Sequence, residues 1–180
     1  MGLAADLGYR IPTPNLVHRS VQAFASTRAG AWSFSKVLRR FDAVVGRVTR
    51  GRTSAPGLLA GLPVLDISTT GRRSGTSRRT HLIAVPYADT LALLGTNFGQ
   101  PSTPAWVLNL EADPKVTVTH RGTTVDAVAR AADEDEHAAV LAGSTGVYGG
   151  YLKYQGRITG RRLRIFVLEP ARDPLTREDR

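Results

Sequence analysis

The sequence contains no cysteine, so disulfide bonds and thiolate metal sites are excluded. Its four histidines do not have the spacing of a metal site. No stretch reaches the roughly 18 apolar residues that a membrane-spanning helix needs, and the amino terminus lacks the apolar run of a signal peptide. We therefore expect a cytoplasmic protein without a metal ion or a membrane span, and contact with a membrane surface stays open.

Acidic residues are few. The 180 residues include 15 Asp and Glu against 24 Lys and Arg, which gives a formal net charge of +9. The excess of positive charge is concentrated in residues 1–55, in the segment Ser68–Thr80 and around residues 157–164. A positive surface favours anionic partners, which include nucleic acid, anionic lipid and a phosphorylated or polycarboxylate small molecule.

Several nucleotide-binding and hydrolase motifs are also missing. The sequence has neither G-x-G-x-x-G nor G-x-x-x-x-G-K-[ST], and it lacks the strand–helix alternation of a Rossmann sheet. Ser74 and Ser144 do not lie in a G-x-S-x-G context. A dinucleotide-binding sheet, a phosphate loop and a serine hydrolase are therefore not expected.

The spacing of the apolar residues changes from a helical period to a strand period near residue 57. Before that point, apolar stripes predict a helix around Leu16–Ala25 and a longer basic amphipathic helix from Phe34 to Val48. After it, alternation and turn residues predict strands at 62–69, 80–88, 90–97, 115–131 (two strands around Arg121–Gly122) and 161–170, and helices at 103–113 and 133–143.

The predicted fold class is therefore α+β, with mainly antiparallel strands in a small barrel or curved sheet. We divide the chain into basic amphipathic helices at 1–57, a barrel domain at 58–170 and a loose tail at 171–180. Within the barrel domain, we expect Thr103 to cap the helix at 103–113 and Pro104 to occupy its first position.

The segment Ser68–Thr80 combines four arginines with two glycines and several hydroxyl-bearing residues. Glycine lets the backbone turn tightly and present its N–H groups, and the planar fork of arginine matches phosphate or carboxylate. The segment is therefore either an anion-binding loop or a solvated hairpin turn with a basic rim.

Two other segments are candidate sites. Gly95–Trp106 follows a predicted strand and could approach a ligand closely, or it could be an ordinary loop with Trp106 in the core. Tyr148, Tyr151 and Tyr154 recur every three residues, so a helix would place their rings along one side. They could cap a planar ligand and supply a proton donor, or they could pack on the barrel as a structural stripe.

The order of these segments resembles the deazaflavin-dependent nitroreductase family, in its nitroreductase and quinone-reductase branch. The resemblance is carried by TTGRRSGTSRRTHL, GTNFGQPSTPAWVLNLEADPKVTV, YGGYLKY and RIFVLEP, and it covers roughly residues 62–170. It implies an actinobacterial split β-barrel protein, with a fold like that of FMN-binding split barrels. It also implies coenzyme F-420, an 8-hydroxy-5-deazaflavin, as the cofactor in preference to FMN.

The resemblance further implies roles for individual residues. The phosphate and oligoglutamate tail of the coenzyme would bind at Gly71, Arg72, Arg73, Ser74, Gly75 and Arg78. The deazaflavin ring would lie along Gly95, Thr96, Asn97, Phe98 and Gly99, and the residues that help to build its site would be Pro104, Trp106 and Asn109. Phe98 departs from the Ser-Lys/Asn-Gly-Gly of many relatives. The substrate pocket would be lined by Tyr148, Tyr151 and Tyr154, with Tyr151 the first choice to donate or orient a proton.

The implied activity is hydride transfer from reduced coenzyme F-420 to a quinone, an enone or a nitroaromatic compound. Two alternatives stay open: a split barrel that binds coenzyme F-420, FMN or haem without turnover, and a basic protein that binds a membrane or nucleic acid. Nucleic acid is disfavoured because the basic residues are not interleaved with exposed aromatic residues. The N-terminal helices could contact a membrane, and the sequence allows a monomer or a homodimer.

Overall fold

A computed structural model describes residues 2–13, 15–27, 29–30 and 61–171 of the protein. The amphipathic helix predicted from Phe34 to Val48 and the tail beyond residue 171 lie outside the described residues, so both stay predictions. The described helices and strands are α1 (Leu3–Asp6), α2 (Leu16–Ala25), β1 (Leu65–Thr70), β2 (Ser77–Leu82), β3 (Val85–Tyr87), β4 (Thr90–Leu94), α3 (Ala105–Ala112), β5 (Lys115–His120), β6 (Thr123–Ala131), α4 (Glu134–Val147), α5 (Gly150–Gln155) and β7 (Ile165–Pro170).

The strands form one seven-stranded antiparallel sheet in the order β2-β1-β5-β6-β7-β4-β3. Strands β2 and β3 lie at opposite edges of this sheet, yet only Ile83 and Ala84 separate them in the chain. Three Cα–Cα steps span at most about 11 Å, so the sheet must curl until its edges come together. The predicted split barrel is confirmed, whereas the single strand predicted over 80–88 is wrong because it is divided between the two edges.

Two tyrosine hydroxyls form hydrogen bonds with the backbone of Ile83 and Ala84, where the chain crosses from one sheet edge to the other. The Tyr9 hydroxyl donates to the Ala84 carbonyl at 2.8 Å and accepts from the Ala84 N–H at 3.0 Å. The Tyr151 hydroxyl donates to the Ile83 carbonyl at 2.9 Å. These backbone groups lie outside the sheet ladder, and a buried peptide group without a partner would be costly.

The barrel interior is filled by alternate residues of its strands. In β1, Leu65 and Ile67 are buried, and the residues that alternate with them along the strand are partly exposed, as the alternation predicts. The amino-terminal segment adds Leu3, Leu7 and Tyr9 to the same core. One face of residues 3–9 therefore packs on the barrel core, whereas the domain boundary predicted at residue 57 lies outside the described residues and stays a prediction.

Helices α4 and α5 pack on the opposite side of the sheet. Strand β4 is apolar on both faces because Leu91 and Leu93 point to the barrel core while Ala92 and Leu94 point to the cluster around these helices. Helix α4 starts with a reciprocal capping box between Asp133 and Glu136 and runs beyond the predicted end at residue 143.

Local turn signals agree with the structure more closely than element ends do. The hairpin turn predicted at Arg121–Gly122 is confirmed, with both residues in the left-handed region. Pro104 occupies the capping position of α3 and no side chain caps this helix, so the prediction that Thr103 caps it is wrong. The last strand begins at Ile165 instead of residue 161.

Candidate functional site

The basic segment forms the turn of the β1–β2 hairpin. The Gly71 N–H donates to the Thr76 carbonyl at 2.8 Å, and the Gly75 N–H donates to the Gly71 carbonyl at 2.7 Å. A Cβ atom at Gly71 would lie 2.8 Å from Ser74 Oγ, and Gly75 has a φ of +65°. Both glycines are therefore required by the backbone of this turn.

The arginines of this turn extend into solvent. Arg72, Arg73 and Arg78 are exposed, and none of them has a carboxylate partner in the described parts of the chain. Arg78 donates to Ser74 Oγ at 3.2 Å, which holds its guanidinium over the turn. Three guanidinium groups thus repel one another unless an anion or solvent screens them.

Asn109 fixes the turn to the body of the protein. Its side chain is buried at 7% exposure. Its Oδ1 accepts from the Arg72 N–H at 3.1 Å, and its Nδ2 donates to Thr69 Oγ1 at 3.1 Å. Helix α3 therefore holds the basic turn through one side chain. The sequence pointed to Asn109 only through the family resemblance.

The loop after β4 has an unusual backbone. Asn97, Phe98 and Gly99 follow one another with φ values of 47°, 56° and 78°. Asn97 Nδ2 donates to the Ser102 carbonyl at 2.9 Å, which supports this conformation. Two consecutive residues other than glycine in the left-handed region are strained, and such strain is typical of functional loops.

Arg161 organises the same loop from the far end of the sequence. Its guanidinium donates to the carbonyls of Gly95 at 2.9 Å, Thr96 at 2.9 Å and Gln100 at 3.1 Å. Burial, and then the charge of Arg164, lower the pKa of Arg161 from its ordinary value. In the sequence, Arg161 stands out only as part of a basic cluster, because no local pattern shows which backbone groups an arginine will reach.

The three tyrosines form one buried cluster. Tyr148 and Tyr154 join their hydroxyls at 3.0 Å, and the ring centroids of Tyr148 and Tyr151 lie 5.6 Å apart in an edge-to-face arrangement. Burial raises the pKa of each of the three phenols above its ordinary value. The tyrosines are therefore neutral at physiological pH, and each hydroxyl already has a hydrogen-bond partner.

Helix α2 covers this cluster with its C-terminal end. Tyr154 donates to the Ala25 carbonyl at 2.7 Å, Arg157 donates to the Ser26 carbonyl at 2.7 Å, and Lys153 donates to Ser26 Oγ at 3.0 Å. The last carbonyls of a helix lack partners within it and carry partial negative charge, so these donors, two of them cationic, suit that end.

Two predicted site residues have structural positions. Trp106 is buried in the barrel core, with its ring centroid 6.1 Å from that of Phe166. Pro104 stands at the N-terminal boundary of α3, the helix that carries Asn109. A contribution of Trp106 and Pro104 to a ligand site would be indirect.

The left-handed loop, residues 95–100, contacts the tyrosine cluster and leads into the helix that holds the basic turn. Phe98 packs edge-to-face on Tyr154, with ring centroids 5.8 Å apart. A Cβ atom at Gly99 would lie 2.8 Å from Arg157 Cβ. The loop at 95–100 leads into α3, which holds the basic turn through Asn109. The tyrosine cluster thus contacts the left-handed loop directly, and helix α3 connects this loop to the basic turn.

These residues fit the coenzyme that the resemblance implies. The basic turn offers guanidinium groups without carboxylate partners to phosphate and carboxylate groups. The aliphatic part of Arg157 packs beside Gly99, and its Nη1 is buried without a hydrogen-bond partner among the described residues. The guanidinium groups of the basic turn and of Arg157 are cationic donors, and such donors suit an anionic ligand.

Neither a cluster of metal ligands nor a membrane-spanning helix is found in the part of the chain that the structure describes. The parts of the chain that the structure describes contain no group of three or more His, Asp or Glu side chains arranged to hold a metal ion. Among the same residues, no helix is long and apolar enough to cross a membrane.

Comparison with known protein families matches most of this chain to one family. Residues 38–170 match the model of the family described as F-420H2-dependent quinone reductase. A solved structure titled F-420-H2 dependent reductase (FDR-A) is 29% identical, with a TM-score of 0.54, and the match covers 59% of this chain and 94% of that one.

Two further solved structures are similar to this chain. One, described as a domain-swapped dimer, is 24% identical with a TM-score of 0.55, and the match covers 73% of this chain and 98% of that chain. The other, a haem storage protein from Vibrio cholerae, is 18% identical with a TM-score of 0.47, and the match covers 62% of this chain and 83% of that chain.

Proposed function

This chain belongs to the F-420H2-dependent quinone reductase family, and we propose on that premise that it passes a hydride to an electrophilic small molecule such as a quinone, an enone or a nitroaromatic compound. It is a reductase whose cofactor is coenzyme F-420. When bound, the reduced coenzyme supplies the hydride from carbon 5 of its ring, and the protein orients the reactants and excludes water.

The basic turn is proposed to bind the anionic part of the coenzyme. The observation that carries this proposal is the set of exposed guanidinium groups of Arg72, Arg73 and Arg78, which have no carboxylate partner among the described residues. Asn109 holds the turn by its backbone, so the arginine side chains are free to bind phosphate and carboxylate.

The left-handed loop is proposed to lie along the ring of the coenzyme. Gly95 and Gly99 keep this loop close to the body of the protein, because a side chain at either position would clash with Val107 or Arg157. Phe98 is half-buried against Tyr154, so it joins this loop to the tyrosine cluster. Trp106 is buried in the barrel core, so its contribution to this site would be indirect.

The tyrosine cluster is proposed to line the substrate pocket. Tyr151 is buried and neutral, and its hydroxyl donates to the Ile83 carbonyl. A phenol with a raised pKa is a poor acid at neutral pH, so we assign Tyr151 an orienting role in preference to proton transfer. Unchanged turnover in a Tyr151→Phe protein, at normal stability, would remove this residue from the proposal.

The decisive experiment is a fluorescence titration with oxidised coenzyme F-420 and, separately, with FMN. Arg72→Ala and Arg73→Ala remove only side chains, because the contact to Asn109 uses the Arg72 backbone N–H. We expect each substitution to weaken coenzyme binding by about tenfold or more. Arg19→Ala serves as the control, since Arg19 is an exposed arginine on α2.

Two outcomes separate the possibilities. Tight binding of coenzyme F-420, weak binding of FMN and a loss confined to Arg72→Ala and Arg73→Ala would support the proposed site, and a screen of quinones, enones and nitroaromatic compounds would follow. Equal losses in all three variants would mean that only net charge matters, and the basic turn would then not be a specific site.

A further inference from the structure

The guanidinium of Arg161 lies against the backbone of the left-handed loop. It binds three carbonyls, those of Gly95, Thr96 and Gln100, which lie about 60 residues away in the sequence. No carboxylate pairs with it in the described parts of the chain. Its positive charge therefore acts on the loop without being neutralised by a neighbouring carboxylate.

This contact determines the direction of one peptide group. In a trans peptide the C=O and the following N–H point in opposite directions. Because the Thr96 carbonyl points to Arg161, the N–H of Asn97 points away from it. The guanidinium also polarises this peptide group, which makes the N–H of Asn97 a stronger donor.

A second N–H stands beside the first. Thr96 is right-handed, with φ −69° and ψ −32°, and Asn97 is left-handed, with φ 47°. Successive N–H groups in this sequence of conformations form a concave donor site. Within the described residues, neither the N–H of Asn97 nor that of Phe98 has an acceptor, whereas those of Thr96 and Gly99 do.

We propose that Arg161 is a positioning residue of this reductase, which fixes and polarises the N–H of Asn97 so that it forms, with the neighbouring N–H of Phe98, a donor pair for the electron-rich ring of the bound coenzyme. The proposal rests on the proposed function of this loop. Arg161 itself acts through the backbone, because its Nε, Nη1 and Nη2 each donate to one or more of the three carbonyls.

The test compares four variants in the full chain. Arg161→Gln removes the charge, Arg161→Lys keeps the charge but loses the planar fork, and Arg161→Ala opens a site that added guanidinium can occupy. Arg162→Ala is the matched control, since Arg162 is the neighbouring exposed arginine and its side chain makes none of these contacts.

The first measurement needs no coenzyme. We expect the backbone amide resonances of Asn97 and Phe98 to shift in Arg161→Gln and to return when guanidinium is added to Arg161→Ala. The resonances of strand β5 serve as the internal reference for an intact fold. Equal spectra of Arg161→Gln and Arg162→Ala at residues 97 and 98 would overturn the proposal.

The second measurement uses coenzyme F-420. Affinity is expected to fall by about tenfold in Arg161→Gln, less in Arg161→Lys, and not at all in Arg162→Ala. The visible absorbance of the coenzyme reports the ionisation of its ring hydroxyl, whose negative charge spreads into the ring. Loss of the charge at residue 161 is expected to move this ionisation to higher pH in the bound coenzyme.

The outcomes also distinguish this inference from the proposed function. If the unaltered protein does not bind coenzyme F-420, the proposed function fails. If it binds, and Arg161→Gln binds equally well with the same ionisation of the ring hydroxyl, only the role of Arg161 fails. If Arg161→Ala folds poorly, and added guanidinium restores its fold but not the amide resonance of Asn97, the proposed role of Arg161 is also overturned.

Discussion

Asn109 joins the basic turn to helix α3 through a buried side chain. Both ends of its buried amide are used, one by the Arg72 N–H and the other by Thr69 Oγ1. A buried amide stabilises the fold mostly by supplying hydrogen-bond partners to its buried neighbours. Each buried donor or acceptor left without a partner costs about 1–3 kcal/mol. Asn109 therefore links local stability to the placement of the arginines.

We expect Asn109→Leu, which has a similar volume, to lower the free energy of unfolding by about 2 kcal/mol because it leaves the Arg72 N–H and the Thr69 hydroxyl without partners. Urea unfolding measures the loss, and coenzyme titration should show weaker binding. Asn109→Asp is the control, since it keeps an acceptor for Arg72. Unchanged stability of Asn109→Leu would show that the turn does not depend on this contact.

The residue with the clearest pH dependence is Glu136. Hydrogen bonds from Arg130, and then from the Asp133 N–H, lower its pKa to about 2. A carboxyl whose pKa is lower in the folded state binds fewer protons there, so its contribution is complete above its ordinary pKa near 4.5 and is lost as the pH falls toward 2.

Glu136→Gln is therefore expected to lower the free energy of unfolding by about 1 kcal/mol at neutral pH and by less near pH 3. Urea unfolding at the two pH values measures this difference. Glu134→Gln is the matched control, because Glu134 lies exposed in the same first turn of α4. A deficit in Glu136→Gln that is the same at both pH values would contradict the assignment.

At the scale of elements, α2 is attached to α5 mainly at one end. Its Val21 and Ala25 pack against the cluster around α4 and α5, while Leu16 is 80% exposed and Phe24 is 54% exposed. The predicted apolar stripe therefore exists, but only part of it is buried. Hydrogen bonds from α5 and its flanks to the last carbonyls supply the rest of the attachment.

Arg157→Ala should loosen this attachment, because it removes the 2.7 Å hydrogen bond to the Ser26 carbonyl and a cation from the C-terminal end of α2. We expect the amide protons of residues 16–26 to exchange about tenfold faster. Those of strand β5 should be unaffected, and Arg162→Ala is the control. Equal exchange in all proteins would mean that packing alone holds α2.

At the scale of the whole molecule, the barrel depends on the crossing from β2 to β3. The Tyr9 hydroxyl satisfies both the N–H and the carbonyl of Ala84, and Tyr9 is itself part of the barrel core. The amino-terminal segment therefore completes the fold of a sheet whose strands come later in the chain.

Tyr9→Phe is expected to lower the free energy of unfolding by about 1–3 kcal/mol, because it leaves the buried N–H of Ala84 without an acceptor. Chemical denaturation measures the change. Tyr87→Phe is the matched control, since Tyr87 is only half-buried and its hydroxyl makes no hydrogen bond within the described residues. A loss of equal size in both variants would show that the contact with Ala84 is not the cause.

The sequence by itself determined the features that depend on neighbouring residues. Alternation placed Leu65 and Ile67 in the core, the left-handed preference of Gly122 marked the β5–β6 turn, and the acids at 133–136 marked the start of α4. Each of these signals lies within a few residues of its effect, so it can be read along the chain. The order of the basic turn, the loop at 95–106 and the tyrosines also carried the family.

The tertiary structure decided what depends on distant partners. Asn109 meets Arg72 across 37 residues, Arg161 meets Gly95 across 66, and Tyr9 meets Ala84 across 75. The curl of the sheet brings these segments together. The same curl divides the strand predicted over 80–88 between β2 at one sheet edge and β3 at the other. Nothing in the local sequence specifies such contacts, because they follow from the packing of the whole barrel.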